Sequence, residues 1–490
     1  MKSKYIKIVL AFIALTFLGA CSDDFLDKKP TEFVDYEGAT KTTENLMTLL
    51  NGIHRSLYIS YEDQSQGGLG GLMEQIDIAG DDVVFPITNG WFLTIYNWSA
   101  MNNENSSELR FAYRTYYRII RNANTIINAT DAAIGSDADK KIVKGQALLY
   151  RAFCHYQLVQ LFAKRYVNGE INSQLGIPLI LTVGNDKFPR STVEEVYAQI
   201  NKDLDDANVL LIGYAKPNNS HLDLKVAQGL KARVALTQGN WSIAADYANK
   251  ARAGMILMQM TEYALGFNDY NNREWMWGSH INEVQTAYFA NFGAYMSRNF
   301  SSTVIRSCPK AINSKLYSMI PTTDVRSTIF DKTGNHTALG LPSNFAKFPY
   351  TSQKFLAIST GDSRCDVPYM RVAEMYLIEA EAKARLGNGD AAAVLFEFEK
   401  TRNPSYTLST NSGQALVDEI LLQRRIELWG EGFRFYDLKR TNSSLDRTGA
   451  NHDVGITNGV LIVAPSDKRW QWLIPKVEID ANPLVKQNEL

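Results

Sequence analysis

Two stretches concentrate side chains able to hold a polyhydroxylated ligand. "GWFLTIYNWSAMNN" supplies Trp91, Tyr96 and Trp98 with Asn97, Asn102 and Asn103, and "AYFANFGAYMSRNF" supplies Tyr288, Asn291, Tyr295 and Arg298. A sugar ring offers apolar C–H faces that stack on indole and phenol rings, while its hydroxyls need amide, carboxylate or guanidinium partners. The residues expected to touch such a ligand are therefore Trp91, Tyr96, Trp98, Asn102, Tyr288, Tyr295 and Arg298. The competing role for each ring is to fill the core beneath its loop, where most aromatic residues sit. Trp275 and Trp277, two apart in "NREWMWGSHI", lie on one face of a short strand and read as core.

Catalytic chemistry has less support. The chain has no G-x-S-x-G, H-E-x-x-H, C-x-x-C or Walker loop. Its six histidines stand too far apart for a helical metal pair. "GGLGG" lacks the strand, helix and lysine of a phosphate loop. Asp81-Asp82 suits turn or cap chemistry better than a calcium site or a glycosidase pair. No catalytic residue, metal or cofactor is expected.

The start of the chain carries chemistry of a different kind. Lys2, Lys4 and Lys7 precede an uncharged run from Ile8 to Ala20. That length suits a secretory signal and is too short for a spanning helix of about 20 residues. The run ends Leu18-Gly19-Ala20-Cys21, which resembles a bacterial lipobox, so cleavage before Cys21 and lipidation of its thiol are expected. Several acyl chains make a stable anchor where one would be marginal. Of the four cysteines, Cys154, Cys308 and Cys365 then remain. Cys154 reads as a buried helical thiol, and a Cys308–Cys365 bridge stays open. A net charge of -1 argues against a nucleic-acid partner.

The elements that must position these residues are mostly helical. Thr42 to Tyr58, Leu109 to Ala129 and Lys141 to Tyr166 show apolar residues at helical spacing. The last is apolar on more than one face and should lie between neighbours. Ser191 with Glu194 reads as a capping box, and "SQGGLGG" as a flexible loop. "ALTQGNWSIAADYANKA" and "ARLGNGDAAAVLFEFEK" repeat a Leu-x-x-Gly turn before an Ala-rich helix, pairing Leu236 and Gly239 with Leu386 and Gly389. This is the pattern of tetratricopeptide-like helix pairs, which must stack on others to bury their faces. Between the copies lies a loop-heavy insert at about 254–366, with helix character near Lys310 that stops at Pro321. The expected fold is mostly α, tetratricopeptide-like helix pairs carrying an irregular insert. Its organisation is a signal at 1–20, a lipidated tether at 21–40 and one domain at 41–490.

Several motifs together resemble the SusD/RagB family of outer-membrane nutrient-binding lipoproteins. "MRVAEMYLIEAEAKARLGN" is similar to its R-x-A-E-x-Y-L-I-x-A-E-A segment, and "RRIELWGEGFRFYDLKR" to its E-R-x-x-E-L-x-x-E-G-x-R-x-x-D-L-x-R pattern. "WLIPKVEIDANPLVKQNEL" is similar to its closing I-P-x-x-E-I-x-x-N-P segment, while "ALLYRAFCHYQLVQLF" and "YRIIRNANTII" match its early helices. Gln423 stands where the family usually has Glu, and the ending lacks the usual Gly-Tyr. The resemblance implies a lipid-anchored protein facing the exterior of a Bacteroidetes-type outer membrane, for which Ser22-Asp23-Asp24 would serve as export signal. It implies capture of an oligosaccharide, without catalysis, for a SusC-like TonB-dependent transporter. Ligand contacts in the family fall at about the chain positions of the two aromatic stretches. A peptide-binding member, or a surface glycosidase, is the alternative. In the second motif Arg424 and Glu427 can pair, with Glu431, Arg434, Asp437 and Arg440 continuing at the same spacing; a packed ion network is the expected role.

Overall fold

A computed structural model describes residues 36–88, 90–284 and 287–489. The signal at 1–20 and Cys21 lie outside the described residues. Tyr36–Thr40, assigned by sequence to the tether, already form a helical turn against the first long helix.

That helix, Thr43–Ser56, begins where Thr42 accepts the Asn45 amide at 3.2 Å, and it buries Leu46, Leu50 and Ile53 at helical spacing. Ser106 caps Ser107–Thr130 in the same way. Helix Asp137–Phe162 is buried continuously from Gly145 onward, as its all-round apolar character predicts. Val193–Leu210 then packs on Asp137–Phe162, followed by Leu224–Gln238 and Trp241–Arg252. The capping box falls one residue later than predicted, at Thr192 and Glu195, where strand Arg190–Thr192, paired with Leu175–Pro178, gives way to the helix.

The two repeat copies are neighbours in space. Trp241–Arg252 packs directly on Val372–Leu386, which in turn carries Ala391–Glu399 and Gly413–Glu427. The helix array thus continues across the insert. The equivalent turn glycines are Gly239 and Gly387, with φ of 72° and 74°, and not Gly239 and Gly389. Both end a helix in the left-handed region, which glycine enters without steric cost.

The insert leaves after Arg252 and is zipped at its base. Strand Trp275–Ser279 pairs antiparallel with Val367–Arg371, and Trp275 and Trp277 are both buried, as predicted. Within the insert a small sheet forms from Ala311–Ile312, Thr351–Ser352 and Phe330–Asp331, and its outer strand is Val83–Val84 from the N-terminal half. Ser314–Ser318 is the short helix before Pro321.

"SQGGLGG" departs most from expectation. It opens a helix, Gly68–Ile78, in which every residue is buried. A Cβ on Gly70 would sit 2.9 Å from the Cβ of Phe292, so glycine is what lets this helix seat against the insert. Burial outweighs the roughly 1 kcal/mol helix penalty of each glycine.

The Asp137–Phe162 helix also hides a titratable group. Neither ring nitrogen of the buried His155 has a partner, and burial, with a smaller push from Arg151, lowers its pKa from 6.5 to about 3. The unfolded chain therefore takes up a proton below pH 6.5 that the folded chain refuses, and stability is lost as pH falls from there. His155→Leu should gain stability over the parent by about 2 kcal/mol more at pH 5 than at pH 8. Urea unfolding at both pH values checks this.

Candidate functional site

The structure separates the residues of the first aromatic stretch. Helix Leu93–Tyr96 is flanked by left-handed Phe92 and Trp98, with φ of 69° and 61°, so the chain turns sharply at each end. Trp91, half-buried, faces the insert with its ring 5.4 Å from that of Tyr295. Tyr96 and Trp98 turn the other way. The Tyr96 hydroxyl lies 2.6 Å from His452 Nδ1, and its ring packs on Phe85 and under the Arg447 guanidinium. Burial pushes its pKa up to about 12. Trp98 donates from Nε1 to the Ala79 carbonyl at 3.0 Å and packs against Trp470 and Phe435. Both are fully buried, so neither offers a face to a ligand. Asn102 is exposed but sits beside Met101, whose carbonyl accepts from Leu473, away from Trp91's surroundings.

The second stretch is similarly divided. Tyr295 and Arg298 are core residues. Tyr295 belongs to the short helix Phe292–Met296, and its hydroxyl donates to the Gln64 carbonyl at 2.6 Å. It forms a floor under Trp91 and does not reach solvent. Arg298 donates to the Ala346 carbonyl at 2.7 Å and lies beside the Phe345 ring; burial lowers its pKa to about 10. Tyr288 is 46% exposed and Phe289 42%. Their rings meet edge-on at 4.6 Å, and both rest on buried Phe300. The Tyr288 hydroxyl donates to the Gly361 carbonyl, and its own carbonyl accepts from Ser363 at 2.5 Å. Asn291 caps the Phe292–Met296 helix and reaches Ser363 Oγ at 2.8 Å.

One short helix therefore ties together the exposed Tyr288–Phe289 pair on its N-terminal side and Trp91 over Tyr295. The loop containing Gln64 adjoins it, with Glu62 held by Arg110 and Arg114. Stacking surfaces beside carboxylate, guanidinium and amide groups are the chemistry that sugar rings require. Phe289 was not among the sequence candidates, because a phenyl ring brings no hydrogen-bonding group and nothing in its spacing separates it from core.

The charged stripe of the last helices is structural. Arg424 pairs with Asp437 at 2.8 Å and not with Glu427. Glu427 instead accepts from Arg371 at 2.9 Å and Arg402 at 3.1 Å. Arg371 also binds Glu431 at 2.6 Å, shared with Lys354 at the same distance, and Glu274. All six groups are buried. Burial pushes the Glu431 carboxyl up, but Arg371 and Lys354 outweigh it and hold the pKa below 4.5. Gln423, the departure from the family pattern, accepts from Arg326 at 2.8 Å. Asp81 and Asp82 bind Arg434 and Arg425, both at 2.5 Å, and Asp77 accepts the backbone amides of Gly432, Phe433 and Arg434. Cys154, Cys308 and Cys365 are free and buried, so the bridge left open by sequence does not form.

Comparison with known proteins agrees with this architecture. A family described as "Starch-binding associating with outer membrane" matches residues 24–236, and the SusD family matches residues 322–490. The solved structure of a SusD-like carbohydrate binding protein from Bacteroides vulgatus superposes with a TM-score of 0.81 at 25% identity, over 92% of this chain and 99% of that one. A SusD-like protein of Bacteroides ovatus is 23% identical over 89% of this chain and 82% of its own. The starch-binding protein SusD of Bacteroides thetaiotaomicron is 32% identical over 32% of this chain and 24% of its own. Helix pairs that continue across the insert, and family matches over residues 24–236 and 322–490, lead to one conclusion: the chain belongs to the SusD/RagB family.

Proposed function

We propose that this protein captures an oligosaccharide at the face formed by Trp91, Tyr288 and Phe289. The exposed Tyr288–Phe289 pair carries the reading, since two large rings held rigidly at the surface suit a sugar's C–H face. The starch-binding description of the matching family and the carbohydrate-binding relative in Bacteroides vulgatus support the same ligand class. In this reading the protein changes no bond in the glycan. Cys21 is the lipidated residue, the anchor holds the protein on the outer face of the outer membrane, and the glycan passes to a SusC-like TonB-dependent transporter. The helical scaffold would be the transporter side, and the insert, with Trp91 packed against its Tyr295, the ligand side.

Calorimetric titration of the purified protein against glycans and peptides tests the capture step. Saturable glycan binding should weaken at least about tenfold in a Trp91→Ala, Tyr288→Ala variant, the loss of about 1.4 kcal/mol or more of ring contact. Peptide binding in place of glycan, or glycan binding that survives the double change, would reject the assignment. Labelling with a radioactive fatty acid should mark the protein, and Cys21→Ser should abolish the label.

A further inference from the structure

A cavity of about 850 Å³, whose lining includes none of Trp91, Tyr288 and Phe289, opens between Lys164–Leu175 and the C-terminal segment. Six cations line it: Lys164, Arg165, Arg190, Lys439, Lys468 and Lys486. Against them stand three carboxylates, Glu170, Asp467 and Glu489. Asp467 is already held by Arg469 at 2.7 Å; Glu170 and Glu489 are exposed, as are Lys164, Lys468 and Lys486, so water screens both signs alike and the formal excess of cations stands.

Two of the cations are buried among neutral oxygens. Lys439 Nζ donates to the carbonyls of Gln160, Ala163 and Trp470, the last two at 2.7 and 2.6 Å. Three carbonyl acceptors favour the ammonium form, while burial lowers the Lys439 pKa from 10.5 to about 7, so the group carries its full charge only below neutral pH. Arg190 donates to the carbonyls of Phe162, Leu175, Gly176 and Lys486 and to Asn488 Oδ1, and among the described residues it pairs with no carboxylate. Part of this is the capping of helix Asp137–Phe162, whose last carbonyls carry about half a negative charge. Arg190, with a pKa lowered only to about 10, carries a full charge that exceeds that half, and four more cations besides Lys439 share the cavity. The residual field is positive.

The rest of the lining narrows the ligand. Gln174, Asn442, Ser443 and Gln471 are neutral donors and acceptors, and Trp470 adds an aromatic wall. The volume falls within the range of about 300–1,000 Å³ usual for small-molecule sites. We propose that this cavity binds an acidic saccharide, one bearing carboxylate or sulfate groups, at a second site independent of the Tyr288 face.

The test is calorimetric titration with a panel of uronate and sulfated di- to tetrasaccharides, each beside its neutral counterpart and beside inorganic sulfate. Acidic members should bind more tightly than their counterparts, and raised salt should weaken them. Lys164→Glu with Lys486→Glu, both at exposed positions, should leave thermal unfolding unchanged and weaken acidic binding about tenfold or more. Trp91→Ala with Tyr288→Ala should leave it intact, which separates this site from the proposed glycan face. Acidic and neutral saccharides of equal affinity, or acidic binding that survives the charge reversal, would overturn the site. Inorganic sulfate binding as tightly as the saccharides would overturn the assignment to a sugar.

Discussion

Arg371→Met should cost about 3–5 kcal/mol of folding stability, read as a lowered urea midpoint, or prevent folded protein from accumulating. Arg371 is fully buried and serves three carboxylates at once, Glu274, Glu427 and Glu431. Removing it leaves Glu427 with Arg402 and the more distant Arg326, and Glu431 with Lys354 alone. A buried carboxylate short of partners is far more costly than the pair was favourable. Arg371→Lys should recover only part of the loss, because one ammonium cannot present the guanidinium's fork to three acids. The pH dependence has a definite sign. Glu431 titrates below its unfolded value of 4.5 in the folded chain, so its contribution is complete above pH 4.5 and is lost as pH falls below it. A variant less than about 1 kcal/mol below the parent would mean the network is relaxed by water, contrary to its burial.

Trp98→Ala should cost about 3–5 kcal/mol as well, by a different route. It empties a buried indole site between Trp470 and Phe435 and leaves the Ala79 carbonyl without its donor. Tyr288→Ala, by contrast, removes a half-exposed ring and should cost about 1 kcal/mol or less. The two variants should therefore exchange rank between assays, Trp98→Ala failing in thermal unfolding and Tyr288→Ala in glycan titration. Trp98→Ala that folds normally and loses only glycan binding would restore Trp98 to the site and reject its core role.

That contrast shows what a sequence can and cannot carry. The long helices were readable because their cause is local: apolar residues recurring at the helical period, which set both the helix after Thr42 and the one over 109–129. The ion motif was readable as structural, but its pairing was not. Arg424 and Glu427 sit one turn apart, yet Asp437 takes the first while Arg371 and Arg402 take the second, since the partners come from a separate helix, a strand end and a turn. The Gly68–Ile78 helix was hidden because glycine signals a loop unless its tertiary neighbours are known. Of the aromatic candidates, type alone could not separate exposed Tyr288 from buried Tyr295, seven residues later in one segment. The basic cavity gathers residues from Lys164 to Glu489, a spread that no motif reports.

The antiparallel pairing of Trp275–Ser279 with Val367–Arg371 has a bearing on how such chains diversify. With entry and exit clasped together, the stretch between them behaves as a closed loop, and the entropic cost of lengthening it grows by only about 0.6 kcal/mol per doubling. Recognition surfaces can thus be exchanged by recombination while the helical frame is inherited unchanged. Several ties limit that freedom: Ala311–Ile312 takes its edge partner from Val83–Val84, Tyr295 reaches the Gln64 carbonyl, and Lys354 and Arg326 bind Glu431 and Gln423, all outside the clasp. A transplanted loop would need to preserve these seams, or bring its own partners to fill them.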